Sequence, residues 1–316
     1  MLNQQLGKIM QIRYIKLHFT VVLLTDAILP VDKVSALRGG MGEMLLRANC
    51  VRDRTCKSCD FESECIVRRT MYSKYEIVPR FVTTDDSVGY ILECENYDEE
   101  FREGDFLRFQ LILFGRTIVY FNQYIQAFYA LGMEGIGKNH IRYRIWSVTN
   151  TQNEPLLSSN SAVYMENYNV QTLDTYVRYR MNEINSLDCQ NRLIFHTPAT
   201  LKYQGKFLQS YNMEAIWNAI LRRIYMLECF EGLTYTVYDI EDLKDIALPD
   251  IVEQEMRSVS VQRYSSTQDR KMILSGIKGI VQLDLIPDHI MPLLIAGELI
   301  HIGKNTSFGF GRYRVM

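Results

Sequence analysis

The feature that most restricts the fold of this chain is a short string that occurs twice. Ile136-Gly137-Lys138-Asn139 precedes His140-Ile141-Arg142-Tyr143-Arg144-Ile145, and Ile302-Gly303-Lys304-Asn305 precedes Phe310-Gly311-Arg312-Tyr313-Arg314-Val315. Each copy stands between a helical pattern and a closing strand, which points to a duplicated unit. In the second unit, Leu201 to Phe207 reads as a first strand. Asn212 can cap the helix that follows, with Met213, Ile216, Trp217, Ile220 and Ile224 on one stripe, and Gly232 ends it. Val259 and Val261 alternate with serines, and Val281, Leu283 and Leu285 alternate with Gln282 and Asp284. These are two strands joined by a long polar hairpin. Pro287 and Asp288 open a second helix, and Phe308 to Val315 is a last strand. The order β-α-β-β-α-β is that of a ferredoxin-like unit.

The N-terminal half repeats the order. Ile15, Leu17, Phe19 and Val21 alternate with polar residues, Pro30 opens a helix running to about Cys50, and Tyr90 to Cys94 and Phe106 to Phe114 are strands. Thr117 to Leu131 is a second helix, Ile141 to Val148 a closing strand, and Pro155 to Phe195 an inserted hairpin and linker. The expected fold class is therefore α+β: two tandem ferredoxin-like (RRM-like) domains, residues 1–195 and 196–316, with a cysteine-rich insertion in the first.

A chain of 316 residues, 47% of them hydrophobic, can bury a core in each of two domains. No apolar run is long enough to span a bilayer, and Met1 to Met10 lacks the apolar core of a signal peptide. A cytoplasmic location with reduced thiols is the expectation. The net charge of −2 gives no global attraction to nucleic acid, but it is unevenly spread. Met256 to Met316 holds eight Lys and Arg against four Asp and Glu, whereas Glu231 to Glu255 holds eight acids and one Lys. A basic working surface and two merely solvated faces are both compatible with that pattern.

Cys50, Cys56, Cys59 and Cys65 follow C-x5-C-x2-C-x5-C. The central C-x2-C suits tetrahedral zinc, so a structural zinc held by four thiolates is expected, with free cysteines as the alternative. Cys94, Cys189 and Cys229 read as isolated thiols.

The segment from Gly303 to Tyr313 carries three glycines, with Lys304 and Arg312 beside them. Such a loop can bring backbone N–H groups close to a phosphate, with Phe310 and Tyr313 placed to stack on bases; it can equally be a tight turn that needs glycine. This loop with Gly297-Glu-Leu-Ile-His301, the hairpin Arg263 to Lys271 leading into Lys278-Gly279, and Leu37-Arg38-Gly39-Gly40-Met41-Gly42 resembles the CRISPR repeat-processing endoribonucleases of the RAMP superfamily. The resemblance implies an RNA-binding protein that cuts precursor CRISPR transcripts within each repeat. The ribose 2′-oxygen attacks the neighbouring phosphate without a catalytic metal. The implied partners are repeat RNA and other CRISPR-associated proteins. It also implies RNA contacts at Lys33, Arg38, Arg263, Lys271, Lys278, Gly303, Gly309, Gly311, Arg312 and Tyr313.

Many relatives place a catalytic His near the first helix, but no His lies between Pro30 and Cys50. Of the five histidines, His301 stands within the signature and ranks first as general acid or base, with Lys304 as the transition-state cation. The alternative for His301 is a half-buried helix-end residue. His196 reads as a linker residue and His289 as a surface one, and His18 sits on the polar side of the first strand. Some relatives cut without His, which makes Lys33 and Arg38 candidates too. A RAMP subunit that binds guide RNA without cutting it fits the same fold and remains the second reading.

Overall fold

The computed structural model describes residues 2–54, 56, 59–72, 75–81, 88–159, 162–186, 191–243, 246–265 and 270–316. The N-terminal half runs α1 (Leu2–Ile9), β1 (Arg13–Leu23), β2 (Ala27–Ile28), α2 (Val34–Asn49), α3 (Ile66–Met71), β3 (Tyr90–Glu93), β4 (Glu100–Phe101), β5 (Phe106–Phe114), α4 (Phe121–Glu134), β6 (Tyr143–Thr149), β7 (Pro155–Leu157) and β8 (Gln171–Thr172). Helix α5 (Leu173–Asn185) leads to β9 (Arg192–Ala199), β10 (Lys202–Tyr203), β11 (Lys206–Phe207), α6 (Met213–Glu231), β12 (Ile251–Ser265), β13 (Arg270–Leu283), α7 (Met291–Ile300) and β14 (Tyr313–Val315). The main antiparallel sheets are ordered β3-β5-β1-β6-β7 and β12-β13-β9-β14, so the four strands of each repeat lie in the same spatial order. The duplication expected from the repeated string is thus present as two sheets of like topology.

Strand alternation decides what each sheet face meets. Ile15, Leu17, Phe19 and Val21 of β1 point to one side and join α2 and α4 residues in one core, where the Phe19 and Phe109 rings stack at 4.9 Å. The opposite face carries Tyr14, Ile112 of β5 (which pairs with Lys16) and Ile91 of β3 (which pairs with Ile112). These three are buried in a second core with Ile220 of α6, Leu294 of α7 and Val315 of β14. The second core therefore spans the seam between the halves.

Two expectations need correction. The first strand of the second unit is β9, not Leu201 to Phe207. Leu193, Phe195 and Ala199 are buried while β9 pairs with both β13 and β14. Gln204 and Gly205, both at positive φ (46° and 83°), turn the later segment back as the small β10–β11 hairpin. His196 consequently sits in a central strand and not in a linker. The segment read as a polar hairpin is one, and its strands pair as a long ladder from Ile251–Leu283 to Ser265–Arg270; residues 266–269, like Cys189, lie outside the described residues. Finally, α2 starts at Val34, whose N–H donates to the Asp32 carboxylate at 3.0 Å, and Pro30 precedes it.

Candidate nucleic-acid interface

The repeated string closes each unit in the same way. The residue before it ends a helix in a backbone region that glycine favours: Gly135 (φ 98°, ψ 151°) after α4 and His301 (φ 55°, ψ 159°) after α7. His301 has no solvent-exposed surface, and its ring nitrogens face the Phe310 carbonyl oxygen at 3.1 Å and Glu93 Oε1 at 2.8 Å. Both partners are acceptors. The Nδ1–H therefore donates to Phe310, and one further proton sits on the Nε2–Oε1 contact, so the two side chains titrate as a pair. Burial by itself would raise the Glu93 carboxyl. Lys16 Nζ at 2.8 Å, His301 and Arg312 outweigh that and hold it well below its ordinary value. This cluster joins β1 and β3 to the end of α7 and the loop before β14. It leaves His301 no exposed face, in keeping with the alternative of a helix-end residue bonded to backbone.

The glycines are likewise occupied with the fold. Gly303, Gly309 and Gly311 have φ of 84°, 76° and 74°. The N–H groups of Gly309 and Gly311 donate to the carbonyls of Thr306 and Pro198, so they do not face a phosphate. Tyr313 is buried, its hydroxyl donating to the Leu294 carbonyl and its ring packing on Phe195 at 5.1 Å. Phe310 is also buried, so neither ring stacks on a base. Lys33, expected at the RNA, is 2% exposed and donates to the carbonyls of Asn96 and Asp98 at 3.1 and 2.6 Å. Lys271 and Lys304 remain exposed, with the Lys304 ammonium 5.4 Å from the Phe207 ring centroid.

What the fold does gather is a cavity of about 210 Å³ along the seam, in which three cations meet two carboxylates, Asp32 and Glu93. Arg257 and Lys278 of the β12–β13 ladder, His196 and Thr197 of β9, Tyr97 and Arg312 line it. Lys278 lies 5.5 Å from the Tyr97 ring centroid, and burial together with Arg257 lowers its pKa. Arg312 is salt-bridged to Glu95 and reaches Glu93 at 3.6 Å. His196 is pushed down by burial and then by Arg312, against the opposing pull of Glu95, which leaves a neutral imidazole at pH 7. A second cavity of about 130 Å³, sharing His196, Glu93 and Arg312, also takes in Lys16 and Arg314. At the rim, the Arg38 and Arg263 guanidinium carbons lie 4.2 and 4.6 Å from the centroid of the Phe308 ring. Burial and the nearby Arg38 both lower the pKa of Arg263. Two cations drawn together around one ring suit an anion.

Residues 193–313 match the family of the CRISPR-associated endoribonuclease Cas6, and residues 12–174 match a family described as an N-terminal domain. The C-terminal part of the chain thus resembles the Cas6-type proteins of the RAMP fold. Chains of a Cas6-RT-Cas1–Cas2 complex and of a partial form of it are similar to this chain, each with TM-score 0.57 at 13% identity. The matches cover 96% of this chain but 46% of the partial complex's chain and 29% of the other, so this chain spans less than half the length of either. A Cas6 product complex matches with TM-score 0.51 at 13% identity over 95% of this chain and 99% of that one. At such identity the likeness is one of fold. No curated protein matches the sequence.

The expected zinc site is not supported. Cys50, Cys56, Cys59 and Cys65 line one cavity of about 660 Å³, but among the described residues no group of three or more His, Cys, Asp or Glu stands close enough to hold a metal ion. Arg52, Arg54 and Arg68 are interleaved with them. Among the described residues no helix is long and apolar enough to cross a membrane. His196, Arg257, Tyr97 and Phe308 were absent from the expected site. His196 was misplaced in a linker, and the others gather only through the pairing of β12 with β13 and the packing of the closing loop on α2 and β3.

Proposed function

We propose that this chain binds CRISPR repeat RNA and cleaves it, using two ferredoxin-like domains that grip the RNA at their seam. The observation that carries the reading is the cavity where His196 meets Arg257, Lys278 and Arg312. A neutral His196 can take the proton of a ribose 2′-hydroxyl as that oxygen attacks the adjacent phosphorus. Lys278 and Arg257 stand where a pentavalent phosphorane would be stabilised. The bond to the 5′-oxygen breaks as that oxygen gains a proton, giving a 2′,3′-cyclic phosphate and a 5′-hydroxyl. Arg38 and Arg263 would hold a neighbouring phosphate, and Lys304 and Lys271 would add outer contacts.

The test is to incubate the purified protein with its cognate repeat RNA in EDTA and identify the ends. Cleavage to a 2′,3′-cyclic phosphate is expected. His196→Ala should slow it roughly 10²- to 10⁴-fold while affinity changes little. A requirement for added magnesium would refute the mechanism. The burial of His301 favours a second reading, in which the chain binds guide RNA without cutting. Tight binding with no product would select it.

A further inference from the structure

The even-numbered face of β1 and its neighbours changes character along its length, and one stretch serves neither a core nor the seam. At one end, Tyr14, Ile91 and Ile112 are buried beneath the C-terminal half. In the middle, Lys16 and Glu93 line the cleft, and half-buried His18 has a ring Nε2 with no hydrogen-bond partner among the described residues. Beyond His18 the face opens to solvent. There Thr20 lies opposite Arg108, and Val22 lies opposite Phe106 on one side and Arg144 on the other. Phe106 and Trp146 are each 41% exposed, and their rings meet edge to face at 5.7 Å. The Arg108 guanidinium lies 5.9 Å from the Phe106 centroid, and that of Arg144 lies 5.7 Å from the Trp146 centroid.

Exposed rings held by one another and flanked by guanidiniums make a platform that suits nucleobases. Any base offers a π-face to a ring, and the arginines can meet the phosphates between stacked bases. The cationic flank favours a polyanion over an apolar protein helix. The same sheet face leads without interruption from this platform to the seam, the four steps from His18 to Val22 spanning about 13 Å along β1.

We propose that the open end of this sheet is a second RNA subsite, which stacks single-stranded nucleotides leaving the seam on Phe106 and Trp146 and meets their phosphates with Arg108 and Arg144. The proposal rests on the RNA-binding reading above. It assigns the platform to an unpaired flank of the repeat, separate from the segment held at His196.

The experiment compares two RNAs, the cognate repeat trimmed of its single-stranded flank and the same RNA with the flank retained. Wild-type protein should bind the flanked RNA more tightly. The double variant Phe106→Ala, Trp146→Ala should lose roughly tenfold or more in affinity for the flanked RNA and bind the trimmed one unchanged. Arg108→Gln with Arg144→Gln should flatten the salt dependence for the flanked RNA alone, by about two charges. Of the two tryptophans, Trp217 is 4% exposed, so quenching of fluorescence by a short oligouridylate reports Trp146. Equal affinity of wild type and variants for the flanked RNA, with no quenching, would overturn the subsite and leave the face to a protein partner. Equal losses for both RNAs would also overturn it. A wild-type protein that binds neither RNA would refute the RNA-binding reading itself, and the subsite would fall with it.

Discussion

His301 occupies the position that glycine holds in the other copy of the fold. Gly135 reaches φ 98° without penalty, whereas an L side chain at φ 55° with ψ 159° is strained. The ring bonds to Glu93 and the Phe310 carbonyl hold it there. Substitution by alanine removes those bonds and keeps the strain; substitution by glycine removes both. His301→Gly should therefore be more stable than His301→Ala by about 1 kcal/mol, after the greater chain entropy of glycine is counted. Thermal unfolding checks the order. Residual cleavage in the two variants should follow their folded fraction, whereas a proton carrier would be lost equally in both. The sequence placed His301 within a signature but gave no sign of its burial, because that depends on Glu93, which lies 208 positions away.

At the scale of elements, the two copies of the closing loop are alike in conformation and unlike in surroundings. Gly137 and Gly303 hold the same place in the string, with φ of 70° and 84°, yet a Cβ on Gly137 would meet nothing within 4 Å while one on Gly303 would lie 2.6 Å from the Thr200 carbonyl oxygen. Gly137→Ala should cost about 1 kcal/mol, the price of the left-handed backbone alone. Gly303→Ala should cost at least about 3 kcal/mol or prevent folding, since backbone must move as well. Denaturant unfolding of the two variants gives the comparison. Both helices of each unit were legible from their apolar stripes, but β9 was not. Its run Leu193-Ile-Phe-His-Thr-Pro198 has no clean alternation, because β9 is central, pairing on both edges, and packs on both faces.

For the whole molecule, the Glu93 cluster ties the halves together. The carboxyl is depressed, so the stability it adds is fully present above its ordinary value of 4.5 and is lost as pH falls below that toward its folded value. Thermal unfolding from pH 7 down to about pH 3 should show the wild-type stability falling through this acid range. Glu93→Gln should start about 3 to 5 kcal/mol lower at pH 7, with Lys16, His301 and Arg312 left without their counter-charge, and should show a shallower fall. A variant as stable as the wild type would remove the cluster as the tie between halves. Because the seam cavity is built from β9, the β12–β13 ladder and the N-terminal residue Tyr97, loosening the seam should also weaken RNA binding.

The sequence by itself determined that the chain holds two copies of one unit, since periodicity and turn residues are local signals and the repeated string marks equivalent positions. It also carried the family, through the glycines that the closing loop needs for its backbone. Only the tertiary structure decided which polar residues are buried and which are gathered together. Lys33, Tyr313 and His301 look exposed and reactive in a string of letters, but each is buried by elements distant in sequence. His196, Arg257 and Lys278 come from three strands whose register is set by pairing. The physical reason is the same in each case: a side chain's solvation and partners belong to the packed surfaces around it, and those are fixed only when the two sheets close on one another.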